Sequence, residues 1–574
     1  MAKYFDIGKG VHDKGAEMNG DKFHVREIYN KTLLGGAWFS WYDFADTSHV
    51  LVTGDMAEVA VGELGRKFAR VTVFESWLLH ADEMFSAIIV GDGWESSEDN
   101  RHFLHECKSH LTDDGVLLWA VDNKIGTRFL CGDSHLGECT KFFTCDIWKQ
   151  WFLDSGMPLS KVYYALPGWH MARLVFSDEY TLNRANSHRV EYHYVEPEKI
   201  YRDERGLLLD AIDNGGFTML ANSFIFEYRK GKKLKEVIYA DMSPDKGSEL
   251  SSVLLCYGNG DIVKRPLYIG GNIKNIYQYG EELRRRGLSV VAQVYEQDEI
   301  KMPHIDAPLL SKVMAATARD SVSEYRKLWE RLWECILKSS DITFKSDFPM
   351  ECVDCGEILA RAYLDMVPTN VFYIDDRLYF FDQEYCYKNY PAKYVLYRAM
   401  VVLYAAEPQL EDIIPLVEVK KWFDMEKLWS TFSYVDREYF IKNVRNSGLY
   451  GEYNKKYVLN ERAIAHNKYV LENIEKYAES DLFIDTAEKE IILFGAGVYC
   501  TQYLQKYGET HHPVLIVDNN KAKWGTHKKG VYIDNPSCLL IKEKDSFVVI
   551  ICSKYYQEIT KQLEDMGIND YRVF

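Results

Sequence analysis

The sequence predicts a multidomain α/β chain, and three changes of pattern carry that reading. From about Ser48, short β-rich runs (HVLVTGD, VTVFES, FSAIIVGDG and GVLLWAVDN) alternate with helical segments, as a largely parallel sheet requires. Between Phe217 and Ala292 the runs become hairpin-like, and from Pro308 to about Tyr477 helices dominate, which describes a small antiparallel lobe followed by a larger helical one. From about Lys489 the pattern returns to α/β with EIILFGAG, PVLIVDNN and SFVVIIC. A chain of 574 residues, 47% hydrophobic, is too long for one core. The expected domains are residues 1–212, 213–480 and 488–574.

Each later element has its own local signal. FIFEYRKGKKLKEVIYADMS and SVLLCYGNGDIVKRPLY read as hairpin strands, the second closed by the tight-turn sequence GNGD. In the helical lobe Leu328, Leu332 and Ile336 are spaced to line one helix face. In the last domain Tyr555, Ile559, Leu563 and Met566 share a face of the helix that follows SFVVIIC. Only 14 prolines and no low-complexity run leave short structured connections between domains rather than flexible linkers.

Composition then narrows the function. A formal charge of −17 is the wrong sign for general affinity to nucleic acid or anionic lipid, so small or neutral partners are favoured. The segment MAKYFDIGKGVHDKG has no apolar core for a signal peptide, and YVLYRAMVVLYAAE is interrupted by Arg398 and too short to span a bilayer. A cytoplasmic protein without a transmembrane segment is expected. Twelve scattered cysteines fit reduced thiols, and the single CxxC, Cys352 to Cys355, lacks a second pair for zinc.

The middle domain offers the residues for phosphoryl transfer, which needs ligands for magnesium and a carboxylate to receive the acceptor's proton. In LDMVPTNVFYIDDRLYFFDQEY, Asp365 precedes Asn370 by five residues, and Asp382 follows after an apparent β-hairpin that turns the chain back toward Asn370. An acid directly after an apolar strand is normally avoided without a role. This spacing resembles the aminoglycoside-phosphotransferase and choline-kinase families, which have a bilobal protein-kinase-like (α+β) fold. By that resemblance Asp365 is the catalytic base, Asn370 a metal ligand and Asp382 the principal magnesium ligand, with ATP as donor. Lys264 in GDIVKRP stands where these folds carry the lysine that holds the α and β phosphates, and Glu281 and Glu282 are both candidates for its partner. Tyr363 occupies the position where these families usually carry histidine, and no Gly-rich GxGxxG loop precedes Lys264.

Residues 48 to about 180, above all WAVDNKIGTRFLCGD and YALPGWHMARLVFSDEY, resemble class I SAM-dependent methyltransferases found beside bacterial surface-polysaccharide enzymes, and so imply a Rossmann-like methyltransferase fold. LVTGDMAEVA keeps only Gly54 of the glycine-rich turn that a SAM pocket needs. Glu75 is placed to bond ribose hydroxyls, yet only a few residues separate it from FSAIIVGDG. The domain is therefore read as having a scaffold or regulatory role, without binding SAM.

In the C-terminal segment FGAGVYC supplies Gly495 and Gly497 after a strand, and Asp518 ends the next strand in LIVDNN. Together they suit a nucleotide or nucleotide sugar, whose pyrophosphate sits at a helix N-terminus while an acid bonds the ribose. Cys500 stands at the third glycine of the fingerprint, and a glycine turn serving only strand-to-helix packing explains the residues equally well. The segment resembles small Rossmann-like domains of bacterial glycan-modifying transferases. The expectation for the whole chain is an ATP- and magnesium-dependent phosphotransferase for a small alcohol, sugar or glycan terminus in surface-polysaccharide biosynthesis. The alternatives are a SAM-dependent methyltransferase of the same pathway and a non-catalytic assembly protein.

Overall fold

The computed structural model describes residues 37–54, 67–74, 83–92, 97–134, 142–444 apart from short stretches (185, 193, 232–235, 244–245, 247–249, 268–270 and 351–353), isolated positions between 464 and 486, and 488–574. It is a mixed α/β protein that divides into two compact units. The first comprises residues 1–130, 134–195 and 205–458, and the second 131–133, 196–204 and 459–574.

The first unit is organised by one 12-stranded sheet. Its strands are β1 (His49–Gly54), β2 (Arg70–Val73), β3 (Phe85–Gly91), β4 (Leu111–Asp122), β5 (Lys161–Leu166), β6 (Leu174–Ser177), β7 (Ser223–Arg229), β8 (Val237–Met242), β9 (Ser252–Tyr257) and β10 (Asp261–Pro266). After the two-residue β11 (Ser289–Val290), which belongs elsewhere, come β12 (Val294–Glu296) and β13 (Glu299–Pro303). The order across the sheet is β12-β13-β10-β9-β8-β6-β5-β7-β4-β3-β1-β2. Strands β2, β1, β3 and β4 run parallel, and every pairing from β4 through β7 to β12 is antiparallel. Of the parallel strands, β3 is buried at every residue because the core lies on both sides of the sheet, whereas the edge strand β2 buries only Thr72. Helices α1 (Ser97–His110) and α2 (Cys145–Asp154) help cover one face through Phe103, Trp148 and Phe152.

Two expectations change here. The run FIFEYR does not form a hairpin with EVIYADM: β7 inserts between β4 and β5, whereas β8 pairs with β6 and β9. The sheet is also continuous across the boundary expected at residue 212, so strands of the first and second expected domains share one hydrogen-bonded array. The GNGD turn does join β9 to β10, with Gly260 at φ 87° and its N–H bonded to Tyr257 O at 2.9 Å.

Beyond the sheet, α3 (Lys274–Arg285) precedes β11, and α4 (Leu310–Asp320) and α5 (Val322–Lys338) begin the helical lobe. Ser321 caps α5 by accepting from the Glu324 N–H, and Leu328, Leu332 and Ile336 are buried on one face as their spacing predicts. Next come β14 (Ile342–Thr343), β15 (Ile358–Tyr363), β16 (Val371–Ile374), β17 (Arg377–Phe380) and β18 (Cys386–Pro391). Strands β16 and β17 form the expected hairpin, turning at Asp375 and Asp376, both at positive φ. Helix α6 (Ala392–Ala406) is nearly all core, which explains its apolar sequence without a membrane. No helix among the described residues is long and apolar enough to cross a bilayer.

In the second unit β19 (Glu490–Phe494), β20 (Leu515–Val517), β21 (His527–Lys528), β22 (Val531–Asp534), β23 (Phe547–Ile551) and β24 (Tyr571–Val573) are ordered β21-β22-β20-β19-β23-β24. All are parallel except the β21–β22 pair. Helix α7 (Val498–Lys506) follows the glycine turn and α8 (Tyr556–Asp565) follows β23. Tyr556 rather than Tyr555 faces the core with Ile559 and Leu563, because Tyr555 is the residue before the first helical turn.

Candidate functional site

A cleft of about 390 Å³ opens in the first unit, a size suited to a nucleotide-sized ligand. Its lining includes Leu254 and Cys256 of β9, Ile262 of β10 and Met302 of β13 on the sheet side, and Phe372 and Phe381 of the β16–β17 hairpin on the other. The two phenylalanine rings stack with centroids 4.8 Å apart and planes 27° apart. At one edge runs the connector after β13, where the backbone groups of His304 and Ile305 bond to no described residue. The slot is therefore apolar above and below, with donors and acceptors free along one side.

The polar end of the cleft is built from residues far apart in sequence. Lys264 projects from β10, is almost fully buried, and donates to Asp382 Oδ1 and to Glu384 Oε1 at 2.6 Å. Burial works against its charge, but the two carboxylates outweigh that and raise its pKa above the ordinary lysine value. Lys246, from the connection between β8 and β9, donates to Glu384 Oε2 at 2.5 Å. Burial pushes the Glu384 carboxyl up, yet Lys264 and Lys246 hold it net below the usual range. Asp382 follows β17 at φ 54°, a backbone conformation uncommon outside glycine, so the chain holds this carboxylate in place against its local preference.

Asn370 lines the cleft next to Asp382. Its Nδ2 points at the carbonyls of Asp365 and Asp382, both at 3.5 Å, while its Oδ1 accepts from no described residue. Asp365 is buried and is not among the residues that line the cleft. Its Oδ2 accepts from the N–H groups of Glu384 at 2.9 Å and Tyr385 at 3.0 Å, and Oδ1 lies 3.8 Å from Arg398. Burial pushes its pKa up to about 6, with Arg398 pulling down and Glu384 pushing up. Arg398, the charge that interrupts the apolar run of α6, donates to Leu364 O at 3.1 Å and to Asp436 at 2.7 Å. Asp436 opens a π-helical turn, Asp436–Ile441.

Neither expected glutamate reaches Lys264. Glu282 accepts from Tyr363 OH at 2.6 Å and pairs with Arg361, and Glu281 pairs with Arg284 on the same helix. Tyr363, at the position where the resembled families usually carry histidine, thus ties α3 to the end of β15. Glu384, Lys246, Arg398 and Asp436 were missed by sequence reasoning. Glu384 alone carried a signal, as a second acid two residues after Asp382.

Two carboxylates and an amide oxygen on one cleft wall fit a magnesium ion that shares its shell with phosphate oxygens and water. Among the described residues no three His, Cys, Asp or Glu side chains gather into a cluster able to hold a metal. Cys352 lies outside the described residues and Cys355 is a half-buried free thiol.

In the parallel part of the sheet Gly54 ends β1 opposite Gly91 of β3, and the buried Asp92 follows at φ 69°. Glu75 lies outside the described residues. Among the described residues β2 is the outermost strand on that edge.

In the second unit Gly495 takes φ 103°, and a Cβ there would come within 2.8 Å of Cys552 O, so packing alone demands glycine. A Cβ on Gly497 would meet nothing within 4 Å. Both oxygens of Asp518 are engaged within the chain: Oδ2 accepts from Ala496 N–H at 2.7 Å and from Lys523 at 2.8 Å, and Oδ1 from Asn520 N–H at 2.8 Å. The acid expected to bond a ribose closes the glycine turn instead.

Comparison with known proteins touches both ends of the chain. Residues 487–574 match the family described as C2185-like, N-terminal. No curated protein matches. A SAM-dependent methyltransferase of Thermotoga maritima aligns with 37% of this chain and 95% of its own, at 11% identity and a TM-score of 0.23. The O-methyltransferase of a trans-AT polyketide synthase multienzyme of Brevibacillus brevis, solved with S-adenosyl-L-homocysteine, covers 37% of this chain and 74% of its own at 10% identity and a TM-score of 0.20. At such scores these are similarities of part of the chain, and they fix neither its fold nor its activity.

Proposed function

We propose that the first unit is an ATP-dependent phosphotransferase acting on the hydroxyl of a small alcohol, a sugar or a glycan terminus. The observation that carries this reading is the convergence of Lys264, Asp382, Glu384 and the open Oδ1 of Asn370 at one end of a cleft. The other end of that cleft is an apolar slot beside free backbone groups, suited to a purine base. Asp382, Glu384 and Asn370 would hold a magnesium ion, which would supply positive charge against the phosphates. Lys264, held at the same end of the cleft by Asp382 and Glu384, contributes a fixed positive charge for phosphate oxygens. The acceptor oxygen forms a bond to the γ-phosphorus, the bond from that phosphorus to the bridging oxygen of ADP breaks, and the hydroxyl proton passes to a carboxylate. Asp365 is the group for that proton: its Oδ1 accepts from neither N–H group, and because the residue does not line the cleft the proton passes to it through one intervening water. A pKa near 6 keeps it ionised at neutral pH and basic enough to accept. Screening transfer of labelled phosphate from γ-labelled ATP to monosaccharides and amino alcohols tests the proposal; no transfer to any acceptor, with no ATP hydrolysis, would count against it.

A second reading, SAM-dependent methyl transfer, is favoured by one observation. The carboxyl ends of parallel strands β1 and β3 bring Gly54, Gly91 and Asp92 together, the place where open α/β sheets bind ligands. Titration with SAM and S-adenosylhomocysteine separates the readings, since the phosphotransferase reading expects neither to bind.

A further inference from the structure

The cleft has a third wall, and it comes from the part of the chain that precedes the phosphate-facing strands. The segment after β6 folds back over β8: the Tyr180 ring lies 4.7 Å from that of Tyr239, and Arg189 donates to Asp241 Oδ2 at 2.5 Å. Tyr239 OH lies 3.3 Å from the same oxygen. Arg189, Tyr239 and Asp241 line the same cleft as Lys264 and Asp382. Asp241 Oδ1 accepts from no described residue, and Arg189 keeps 40% of its side-chain surface accessible. A pair serving only to neutralise two charges would not need a free carboxylate oxygen facing a cavity.

Strand register fixes where this wall stands. Lys264 and Asp241 are both opposite Leu254, so they lie on one row across β10, β9 and β8, two strand spacings or roughly 10 Å apart. Tyr239, Cys256 and Ile262 form the neighbouring row. A base that reached from His304 and Ile305 across Ile262 and Cys256 would carry its sugar to β8, beside Asp241, with the phosphates turning back along the row to Lys264. An acceptor carboxylate held by a guanidinium beside a tyrosine hydroxyl is suited to hydroxyl groups, because a free oxygen accepts while neighbouring donors answer the sugar's own oxygens.

We infer that Asp241, oriented by Arg189, recognises a vicinal diol, and that this diol is the ribose of the bound nucleotide. The inference rests on the phosphotransferase reading and extends it: the segment carrying Tyr180 and Arg189 completes the nucleotide site, which gives the preceding α/β part a role without methyl transfer.

The test is calorimetric binding of ATP, 2′-deoxy-ATP and 3′-deoxy-ATP to the full chain with magnesium, for wild type, Asp241→Asn and Arg189→Lys. Wild type is expected to prefer ATP over one or both deoxy forms by about tenfold or more, the worth of one hydrogen bond to a charged acceptor. In Asp241→Asn that ratio falls toward one, while Arg189→Lys keeps part of it. Because the readout is a ratio within each variant, a general loss of stability does not imitate it. Equal binding of all three nucleotides by wild type would overturn the inference and leave the phosphotransferase reading standing. An unchanged ratio in Asp241→Asn, with transfer to methyl glucoside or methyl mannoside reduced, would assign the diol to the acceptor and overturn the ribose assignment. Failure of wild type to bind any nucleotide would remove both.

Discussion

Replacing Asp365 by asparagine should abolish most transfer while changing stability in a pH-dependent way. The carboxyl is raised from its ordinary 3.8 to about 6, mainly because burial disfavours its charged form. That difference corresponds to about 3 kcal/mol held against the ionised folded state. Between about pH 4 and 6 the folded protein binds this proton more tightly than the unfolded chain, so wild-type stability falls as pH rises through that window and carries the full penalty above it. An asparagine side chain at this position would have no such titration, and its amide oxygen can still accept from Glu384 and Tyr385 N–H. The melting temperature of Asp365→Asn relative to wild type should therefore climb from pH 4 to pH 7, on the order of 3 °C for a unit of this size. Transfer measured at pH 7.5 should fall about 10²- to 10⁴-fold, the worth of a positioned proton acceptor. A melting difference flat across pH 4–7 would show that burial does not penalise this carboxylate. Undiminished transfer would show that it only anchors the Glu384–Tyr385 backbone.

The remaining expectations concern its neighbours and the second unit. Arg398→Met removes the cation that lowers the Asp365 pKa, so the rise of transfer rate with pH should move to higher pH; an unmoved midpoint would separate Arg398 from the chemistry. Lys264→Met leaves Asp382 and Glu384 without their shared cation and should weaken ATP binding by about tenfold or more, measured by calorimetry. In the second unit burial raises the Asp518 pKa, but Lys523 and the N–H groups of Ala496 and Asn520 lower it further, so its contribution to stability is present at neutral pH and is lost as pH falls through the carboxylate range. Asp518→Ala should destabilise that unit by about 1–3 kcal/mol through the orphaned Ala496 N–H, whether or not any nucleotide is added, as denaturant unfolding would show.

What the sequence revealed follows from how local the signal was. The β16–β17 hairpin was legible because its two-residue aspartate turn and flanking apolar runs are contiguous, and through it Asn370 and Asp382 could be placed together. Lys264 was legible from the GNGD turn before it. The insertion of β7 between β4 and β5 was not, since an apolar run states that a strand is buried and not which neighbours bury it. Arg398 read as a flaw in an apolar helix, because its partners, the adjacent Leu364 and Asp365 and the distant Asp436, come from two separate places in the chain. The partner of Lys264 was sought on the following helix, yet the acids that reach it lie well over a hundred residues away. At Asp518 the strand-end position suggested a ligand, and its bonds to the glycine turn were not legible because they depend on side-chain direction.

The most direct test of the central claim is calorimetric titration of ATP into the full chain with and without magnesium, repeated on Asp382→Ala. The expected result is saturable binding that requires magnesium in the wild type and is absent in the variant, because the Asp382 carboxylate accepts from Lys264 at the polar end of the cleft that Asn370 also lines. Equal affinity in wild type and Asp382→Ala, or binding indifferent to magnesium, would contradict it.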